Sequence, residues 1–289
     1  MTRAKIATLV AAIEGSLTQD ASPQLLLDVV GEQLLALGQA ADLDEALEIA
    51  ESLLTPIRIA IADRRRIAEA EGVAWVIELY GSADEYVRGA AAADPTLPAE
   101  LQRARSLRAH AASVRQSLVD LTPKEFEVAC TSILRIMGCQ EPHTSPISND
   151  GGIDFYGRLE LKGRLDNASP YGGFDSRAGV WLVGQAKHYP SRAIQTAHIR
   201  ELVGSVELAR TGGAIHVWDG LRLRPFDAVL QLIFTTGGFS AGALKLLDQS
   251  GVIAMNGNQL ATFLADAGAG IDEQAGTYDA DAFRVAIGL

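Results

Sequence analysis

Two short segments of the chain carry the side chains best suited to chemistry. Residues 149–155 read Asn-Asp-Gly-Gly-Ile-Asp-Phe, and residues 183–188 read Val-Gly-Gln-Ala-Lys-His. Each segment is predicted to form a strand. Gln185 and Lys187 are two positions apart, so their side chains point to the same face of that strand. With Asp154 they offer a carboxylate, an amide oxygen and an ammonium to one small volume. Oxygen ligands of this kind bind hard divalent cations, and a bound cation activates water.

The same residues also have structural explanations, which the sequence favours less. An Asp near a Gly-Gly pair often stabilises a turn, but that role suits Asp150, which precedes the glycines, better than Asp154. The structural explanation of Lys187 is that its charge would prevent an exposed edge strand from pairing with another chain. The apolar run at residues 181–183 instead indicates a central strand, where a lysine is costly without a function.

A further carboxylate is expected from the helix that begins near Pro123. Glu125 lies three residues after Thr122, the spacing of a capping box, and therefore has a structural role. Glu127 shares a helix face with Cys130 and other apolar residues, where a carboxylate needs a partner. We therefore select Glu127 as the additional catalytic carboxylate.

Asp154 followed by Gln185-Ala186-Lys187 resembles the PD-(D/E)xK nuclease motif, in the Mrr-type restriction endonuclease variant that has Gln in place of the second acidic residue. Two flanking segments agree with this resemblance. Residues 121–127 resemble the start of the family's first core helix, and residues 231–243 resemble its later strand, turn and helix. The similarity covers about residues 121–265 and leaves the first 120 unexplained.

The resemblance implies a mechanism and a cofactor. Asp154, Gln185, Lys187 and Glu127 would be the catalytic residues of a phosphodiester hydrolysis. Asp154, the amide oxygen of Gln185 and the backbone carbonyl of Ala186 would bind Mg²⁺, with Mn²⁺ as a substitute. Lys187 would orient the attacking water and stabilise charge on the phosphate.

The distribution of charge leaves room for a nucleic-acid partner. The net charge is −11, but it divides into −7 over residues 1–120, zero over 121–230 and −4 over 231–289. Within the neutral stretch the basic residues lie around the two segments. Those predicted to bind the phosphates of the substrate are Arg158, Lys162 and Arg192.

Composition excludes several other classes of protein. No apolar run approaches the ~20 residues that span a bilayer, so no membrane association is expected. Cys130 and Cys139 are too few for a disulfide framework or a four-ligand zinc site, and they are interpreted as reduced thiols in a cytoplasmic protein.

The pattern of capping residues and apolar runs predicts three regions. Residues 1–118 are predicted to be an all-helical domain for regulation, oligomerisation or partner binding, with helices beginning at Pro56 and after the capping-box pattern at 82–85. In that domain the triplet Arg64-Arg65-Arg66 is interpreted as a solvated helix face rather than a phosphate contact. Residues 119–270 are predicted to be an α/β restriction-endonuclease-like core, with a mixed central sheet flanked by helices. Residues 271–289 are expected to be an acidic, mobile tail.

The leading functional hypothesis is a metal-dependent DNA endonuclease that acts on duplex DNA, with a restriction or antiphage role by resemblance only. A homodimer or a partner protein would use the amino-terminal helices. The alternatives are a catalytically weak nuclease fold that binds nucleic acid or scaffolds a larger complex, and an RNA nuclease.

Overall fold

The computed structural model describes residues 3–145, 152–165, 173–212 and 218–289. Asn149, Asp150 and Gly151 of the first predicted segment lie outside these ranges. The chain divides into two compact units. The amino-terminal unit consists of Met1–Ala112 and Glu273–Thr277, and the carboxyl-terminal unit consists of Ser113–Asp272 and Tyr278–Leu289. In the part of the chain that is described, no helix is long and apolar enough to cross a membrane.

The amino-terminal unit is mainly helical, as predicted, and contains a small sheet in addition. Its elements are α1 (Arg3–Ser16), β1 (Gln24–Leu25), α2 (Leu26–Ala36), α3 (Leu43–Glu71), β2 (Ile77–Tyr80), β3 (Tyr86–Gly89) and α4 (Ala99–Arg108). The first three helices pack around apolar residues such as Leu9, Leu34 and Ile57, which are fully buried. Pro56 lies within α3, so the helix predicted to begin there is part of a longer one.

The prediction that this region is exclusively helical is wrong at residues 82–85. The strands pair antiparallel in the order β1-β3-β2, and the expected capping box is the turn between β2 and β3. Gly81 and Asp84 adopt φ angles of 100° and 54°, a left-handed backbone that cannot continue a helix. The Glu85 carboxylate accepts a hydrogen bond from the Ala83 N–H at 2.8 Å, which closes the turn instead of capping a helix.

The carboxyl-terminal unit has the predicted α/β architecture. Its elements are α5 (Ala111–Asp120, most of which belongs to this unit), α6 (Pro123–Ile136), β4 (Gln140–Thr144), β5 (Phe155–Glu160), a short 3₁₀ helix (Phe174–Arg177), β6 (Gly179–Lys187), α7 (Thr196–Thr211), β7 (Ala228–Thr235), α8 (Ala241–Ser250), β8 (Ile253–Met255), α9 (Gly257–Asp266), β9 (Ile271–Asp272), β10 (Thr277–Tyr278, shared between the units) and α10 (Ala280–Ala286). The first segment of the candidate site leads into β5, and the second lies in β6.

The central sheet of this unit is mixed, with five strands in the order β4-β5-β6-β7-β8. The β4–β5 and β5–β6 pairs are antiparallel, whereas the β6–β7 and β7–β8 pairs are parallel. Strand β6 is therefore central, which agrees with its apolar sequence. The mixed sheet flanked by helices confirms the predicted fold class.

Helices cover both faces of the sheet. On one face, Val183 of β6 and Ile233 of β7 join a buried cluster with Leu202 and Val206 of α7. On the other face, the ring of His188 lies 5.7 Å from the ring of Phe126 in α6. Alternation along β6 accordingly turns Gln185 and Lys187 towards the α7 side.

The carboxyl-terminal residues are folded, in contrast to the mobile tail expected from their composition. Phe283 and Ile287 are fully buried. Ser132 of α6 donates a hydrogen bond from its hydroxyl to the Ile287 carbonyl at 2.7 Å. The apolar face of α10 provides this anchorage, and the acidic residues that suggested a tail lie outside that face.

Candidate active site

Asp154 lies directly before β5, beside the end of β6. It is buried, and its backbone N–H donates to the Gly184 carbonyl at 2.9 Å. Its Oδ2 accepts a hydrogen bond from the Ala186 N–H at 2.7 Å. The carboxylate thus binds the backbone of β6 at Ala186, the residue after Gln185, where pairing with β5 ends.

Gln185 and Lys187 bring two further polar groups to this end of the sheet. The Gln185 side chain is fully buried, and the Lys187 side chain is 19% exposed. Lys187 Nζ lies 4.0 Å from Glu201 Oε2 on α7. The strand that was predicted from its apolar residues therefore places its two polar side chains under α7.

A close approach at Gly152 brings α7 against the site. Gly152 has a φ angle of 84°, and a Cβ atom there would lie 2.6 Å from Ser205 Oγ, 3.2 Å from Glu201 Cγ and 3.5 Å from Gln185 Nε2. A glycine is needed at this position for both its backbone conformation and its space. Because of this contact, Glu201 and Gln185 share one small region.

Sequence reasoning did not select Glu201. The sequence alone does not show which face of α7 meets β6. One signal was available: Glu201 lies between Ile199 and Leu202, which are both buried in α7. A glutamate at the edge of a buried stripe, in the helix that follows the candidate strand, is well placed to reach that strand's polar face.

Two aromatic residues support β5 and β6 beneath the site. A Cβ atom at Gly184 would lie 2.2 Å from the ring of Phe155, so only glycine leaves room for that ring. Phe155 stacks on Phe234 of β7 with ring centroids 5.2 Å apart. This packing fixes the strand segment that carries Gln185.

Glu127 is connected to Asp154 through α6 and the loop after β4. Lys124 Nζ donates to Glu127 Oε2 at 2.6 Å and to the Ser145 carbonyl at 3.1 Å. The Ser145 N–H in turn donates to the Asp154 carbonyl at 2.7 Å. Burial raises the pKa of the Cys130 thiol well above its usual range, and the nearby Asp154 and Glu127 carboxylates raise that pKa further. Both acids therefore lie around one buried thiol.

Glu125 has the structural position that the capping-box spacing predicts. Thr122 and Glu125 exchange side-chain and backbone hydrogen bonds at the start of α6. Bonds from the Thr122 backbone and from the Arg284 guanidinium lower the pKa of the Glu125 carboxyl from 4.5 to about 2. Glu125 is thus engaged in helix capping and in the attachment of α10.

The three basic residues predicted to bind substrate lie at two different ends of the sheet. Arg192 is exposed in the loop after β6, at the same end as Lys187, with its guanidinium 4.6 Å from the Tyr189 ring centroid. Arg158 pairs with Trp181, four residues along β5 from Asp154, or about 13 Å at strand spacing. Lys162 follows the far end of β5. The structure therefore places Arg192 at the same end of the sheet as the cluster, and Arg158 and Lys162 away from it.

The oxygen atoms at this end of the sheet could bind a hard cation, but few of them belong to carboxylates. Among the described residues, no group of three or more His, Cys, Asp and Glu side chains is placed to hold a metal ion. Asp154 is a buried carboxylate, and the neighbouring Gln185 amide and Ala186 backbone supply neutral oxygens. Such mixed oxygen sets suit Mg²⁺ or Ca²⁺ and not a thiolate-binding metal. The residues present therefore fit the predicted cation if the Gln185 amide oxygen and the Ala186 backbone oxygen serve as ligands in place of further carboxylates.

A family model for the catalytic domain Mrr_cat, described as a restriction endonuclease, matches residues 118–264, slightly more than half of the chain. The chain belongs to the Mrr-type restriction endonuclease family. The stretch that matches the Mrr model contains α6, β5, β6 and α7, and with them Asp154, Gln185, Lys187, Glu127 and Glu201.

Two solved structures are similar to this Mrr-type chain. MspJI restriction endonuclease in complex with a 27-mer oligonucleotide is 20% identical, with a TM-score of 0.40, and the match covers 68% of this chain and 39% of that one. The DNA modification-dependent restriction endonuclease AspBHI is 17% identical, with a TM-score of 0.40, and the match covers 68% of this chain and 43% of that one. The chain thus spans about two fifths of the length of either structure. Among curated proteins, none matches it.

Proposed function

We propose that the protein is a metal-dependent endonuclease that hydrolyses phosphodiester bonds in duplex DNA. The observation that carries the proposal is the grouping of Asp154, Gln185 and Lys187 at one end of two paired strands, with Asp154 bonded to the Ala186 N–H. Membership of the Mrr-type restriction endonuclease family supports the same reaction class.

Each residue of the cluster has a distinct role in this proposal. The Asp154 carboxylate, the Gln185 amide oxygen and the Ala186 carbonyl would hold Mg²⁺, with Mn²⁺ as a substitute. When bound, the cation neutralises charge on the phosphate and activates water. Lys187 orients the attacking water and stabilises negative charge on the phosphate through its ammonium group. Its position 4.0 Å from Glu201 keeps that ammonium on the α7 side of the sheet.

Glu127 and Arg192 have supporting roles. Glu127 is 22% exposed and bonded to Lys124, so it would act on the metal site through bound water rather than as an additional direct ligand. Arg192 is exposed beyond the end of β6, where it would contact a DNA phosphate. Arg158 and Lys162 remain predicted substrate contacts, and a duplex would have to extend along β5 to reach them.

The decisive experiment is cleavage of supercoiled plasmid by the purified full chain, with and without Mg²⁺. Wild type is compared with Asp154→Asn, and single-stranded RNA is offered in parallel. We expect Mg²⁺-dependent nicking or linearisation of DNA by the wild type only. RNA cleavage without DNA cleavage would reassign the substrate, and equal DNA cleavage by both proteins would place the active site elsewhere.

A second candidate is a nuclease fold that binds DNA with little catalysis. The observation that favours it is the neutral Gln185 in a site where the described residues provide no cluster of three acidic or other metal-binding side chains. This candidate predicts salt-dependent DNA binding without cleavage in either Mg²⁺ or Mn²⁺. Gln185→Glu distinguishes the two, since a restored carboxylate should then create activity that the wild type lacks.

The biological setting remains part of the proposal. A restriction or antiphage role in the cytoplasm is the setting that suits an Mrr-type endonuclease. The amino-terminal unit would supply dimerisation, regulation or partner contacts, because double-strand cleavage requires two attacks that a two-fold dimer provides. Sizing chromatography of the full chain tests the dimer, and a monomer that still makes double-strand breaks would contradict it.

A further inference from the structure

A cavity of about 350 Å³ opens in the amino-terminal unit, outside the candidate active site. Its apolar wall includes Leu97, Leu101 and several alanines, and its polar wall includes three arginines, one glutamate and an indole ring. The polar side chains are Gln19, Arg65, Glu69, Trp75, Arg105 and Arg108. A mostly apolar cavity of this size with a few converging polar groups is typical of small-molecule sites.

Two hydrogen-bond donors in this wall are buried without an acceptor. Trp75 Nε1 and Arg105 Nε have no hydrogen-bond partner among the described residues. A buried donor without an acceptor destabilises the folded protein, so such groups call for an acceptor. Both atoms are N–H donors, and the missing complement must therefore be an acceptor such as a carboxylate or phosphate oxygen.

Arg65 and Arg105 are held in place by the protein and keep further N–H donors. Arg65 donates to Glu69 at 2.9 Å and to the buried Glu78 at 3.3 Å. Arg105 donates to Glu78 at 2.8 Å and to the Ala92 carbonyl at 3.2 Å. A guanidinium has five N–H donors, so these contacts orient the groups without using all of them. The side chains are thus fixed before any ligand arrives, which lowers the entropy cost of binding.

The indole ring and the guanidinium planes indicate the shape of the ligand. The guanidinium carbons of Arg65 and Arg108 lie 5.1 Å and 6.0 Å from the centroid of the Trp75 ring. Guanidinium groups bind carboxylate and phosphate in a bidentate manner and stack on flat rings. The apolar wall at Leu97 and Leu101 would accommodate the uncharged part of such a molecule.

We propose that this cavity binds a small aromatic anion, in which a phosphate or carboxylate is attached to a flat apolar ring. The anionic group accepts from the guanidinium donors of the cavity wall, with Arg105 Nε and Trp75 Nε1 reached through a small side-chain movement, and the ring packs against the leucines and a guanidinium plane. Of the consecutive arginines 64–66, only Arg65 lines the cavity, while Arg64 pairs with Glu14 and Arg66 with Asp63. The site is independent of the proposed cleavage reaction.

Isothermal titration calorimetry of the full chain tests the proposal with phenyl phosphate and benzoate, each of which joins a flat apolar ring to an anionic group. Phenol and inorganic phosphate supply the separate parts of the first probe, and benzyl alcohol and acetate supply those of the second. We expect one joined probe to bind saturably, at least about tenfold more tightly than either of its own separate parts. The better joined probe identifies the anionic group. Absence of saturable binding by both joined probes, or equally tight binding of the separate ring or the separate anion, overturns the proposal.

Matched variants locate the binding site. Arg65→Gln and Trp75→Phe should each weaken binding about tenfold, because each removes a donor from the wall. Arg66→Gln is the control, since Arg66 is the next residue on α3, is 71% exposed and does not line the cavity. Lys187→Ala checks that the probe does not bind at the phosphodiester site. Thermal unfolding of each variant establishes that it is folded. Unchanged binding in Trp75→Phe and Arg65→Gln, or binding lost in Lys187→Ala, would overturn the assignment.

Discussion

Charged side chains have different kinds of partner in the two units of the chain. In the amino-terminal unit, Arg88 contacts Glu78 at 2.8 Å and Asp94 at 2.7 Å, and all three side chains are less than a tenth exposed. In the carboxyl-terminal unit, Lys187 lies 4.0 Å from a Glu201 side chain that is 49% exposed. The first arrangement is a tight buried network, and the second is a loose contact near solvent.

This difference has an energetic meaning. Removing one member of a buried network leaves the remaining charge without compensation, which costs several kcal/mol. A contact of 4.0 Å with an exposed carboxylate contributes little to stability, so its loss should cost little. We therefore expect a loss of the Arg88 network to lower stability, and a loss of the Lys187–Glu201 contact to leave stability nearly unchanged.

The largest effect is expected at Asp154. Asp154→Asn should reduce DNA cleavage by at least about 10²–10³-fold, because it removes the anionic oxygen proposed to hold the cation. Asn keeps an oxygen that can accept from the Ala186 N–H, so the unfolding midpoint in urea should change little. Asp154→Ala is the less clean variant, since it leaves the Ala186 N–H without this acceptor, at a cost of about 1–3 kcal/mol. Cleavage near the wild-type rate by Asp154→Asn would show that the site is misassigned.

Arg88→Met should have the opposite profile. The loss of the guanidinium leaves Glu78 and Asp94 buried with fewer cationic partners, and we expect a loss of about 3–5 kcal/mol in the free energy of unfolding. Specific cleavage activity of the folded protein should remain. Urea unfolding measures the free energy of unfolding. Arg66→Met, at a position that is 71% exposed, is the control. A change as small as that of the control would refute the structural importance of the network.

Glu127 and Glu125 provide a comparison within one helix. Glu127→Gln should lower cleavage by about 10–100-fold, because it changes a carboxylate that supports the metal site indirectly. Glu125→Gln should leave cleavage largely intact and lower the melting temperature, since it weakens both the capping box and the contact with Arg284. The cleavage rate and the melting temperature, measured for both variants, test these two roles. The reverse order of activities would exchange the two roles.

Much of the carboxyl-terminal unit could be predicted because its local signals agree with each other. The apolar run at 181–183 predicted a central strand, which is observed as β6 (Gly179–Lys187), and the helix expected to begin near Pro123 is observed as α6 (Pro123–Ile136). Here apolar runs, caps and glycines all indicate the same elements. The family resemblance rested on the same segments, and the family match to residues 118–264 confirms it.

The failures occurred where local signals are ambiguous. The pattern Ser82–Glu85 has the composition of a capping box, but left-handed backbone at Gly81 and Asp84 turns it into a hairpin. The acidic carboxyl-terminal residues concealed an amphipathic helix that is anchored by Phe283. Glu201 was missed because its contact with Lys187 depends on the packing of α7 over β6. Contacts between distant segments of this kind have no local signature in one sequence.

A smaller effect is expected at Glu201. Glu201→Gln should lower cleavage by about tenfold or less, because Lys187 keeps its place in β6 and loses one ionic neighbour whose carboxylate lies 4.0 Å away. The dependence of cleavage on salt should change together with the rate, which a merely structural role would not cause. Glu207→Gln, at an exposed position on the same helix, is the control. Equal rates and equal salt dependence in wild type and Glu201→Gln would remove Glu201 from the site.

The smallest effect is expected in the pH dependence of stability, to which a carboxylate in each unit should contribute. Hydrogen bonds from Thr96 and then Arg88 lower the pKa of Asp94 from 3.8 to about 2, and the bonds at Glu125 lower its pKa from 4.5 to about 2. Because the unfolded chain binds these protons at higher pH, the stabilisation is complete above the unfolded pKa values and is lost as the pH falls towards about 2.

The melting temperatures of wild type, Asp94→Asn and Glu125→Gln test this linkage between about pH 6 and about pH 2. Each variant should melt at a lower temperature than the wild type at pH 6, and the difference should shrink as the pH falls. The two residues lie in different units, so their shared pH range would show that acid weakens the structural carboxylates of both units alike. A difference that stays constant across the range would mean that neither carboxylate gains its stabilising effect from ionisation.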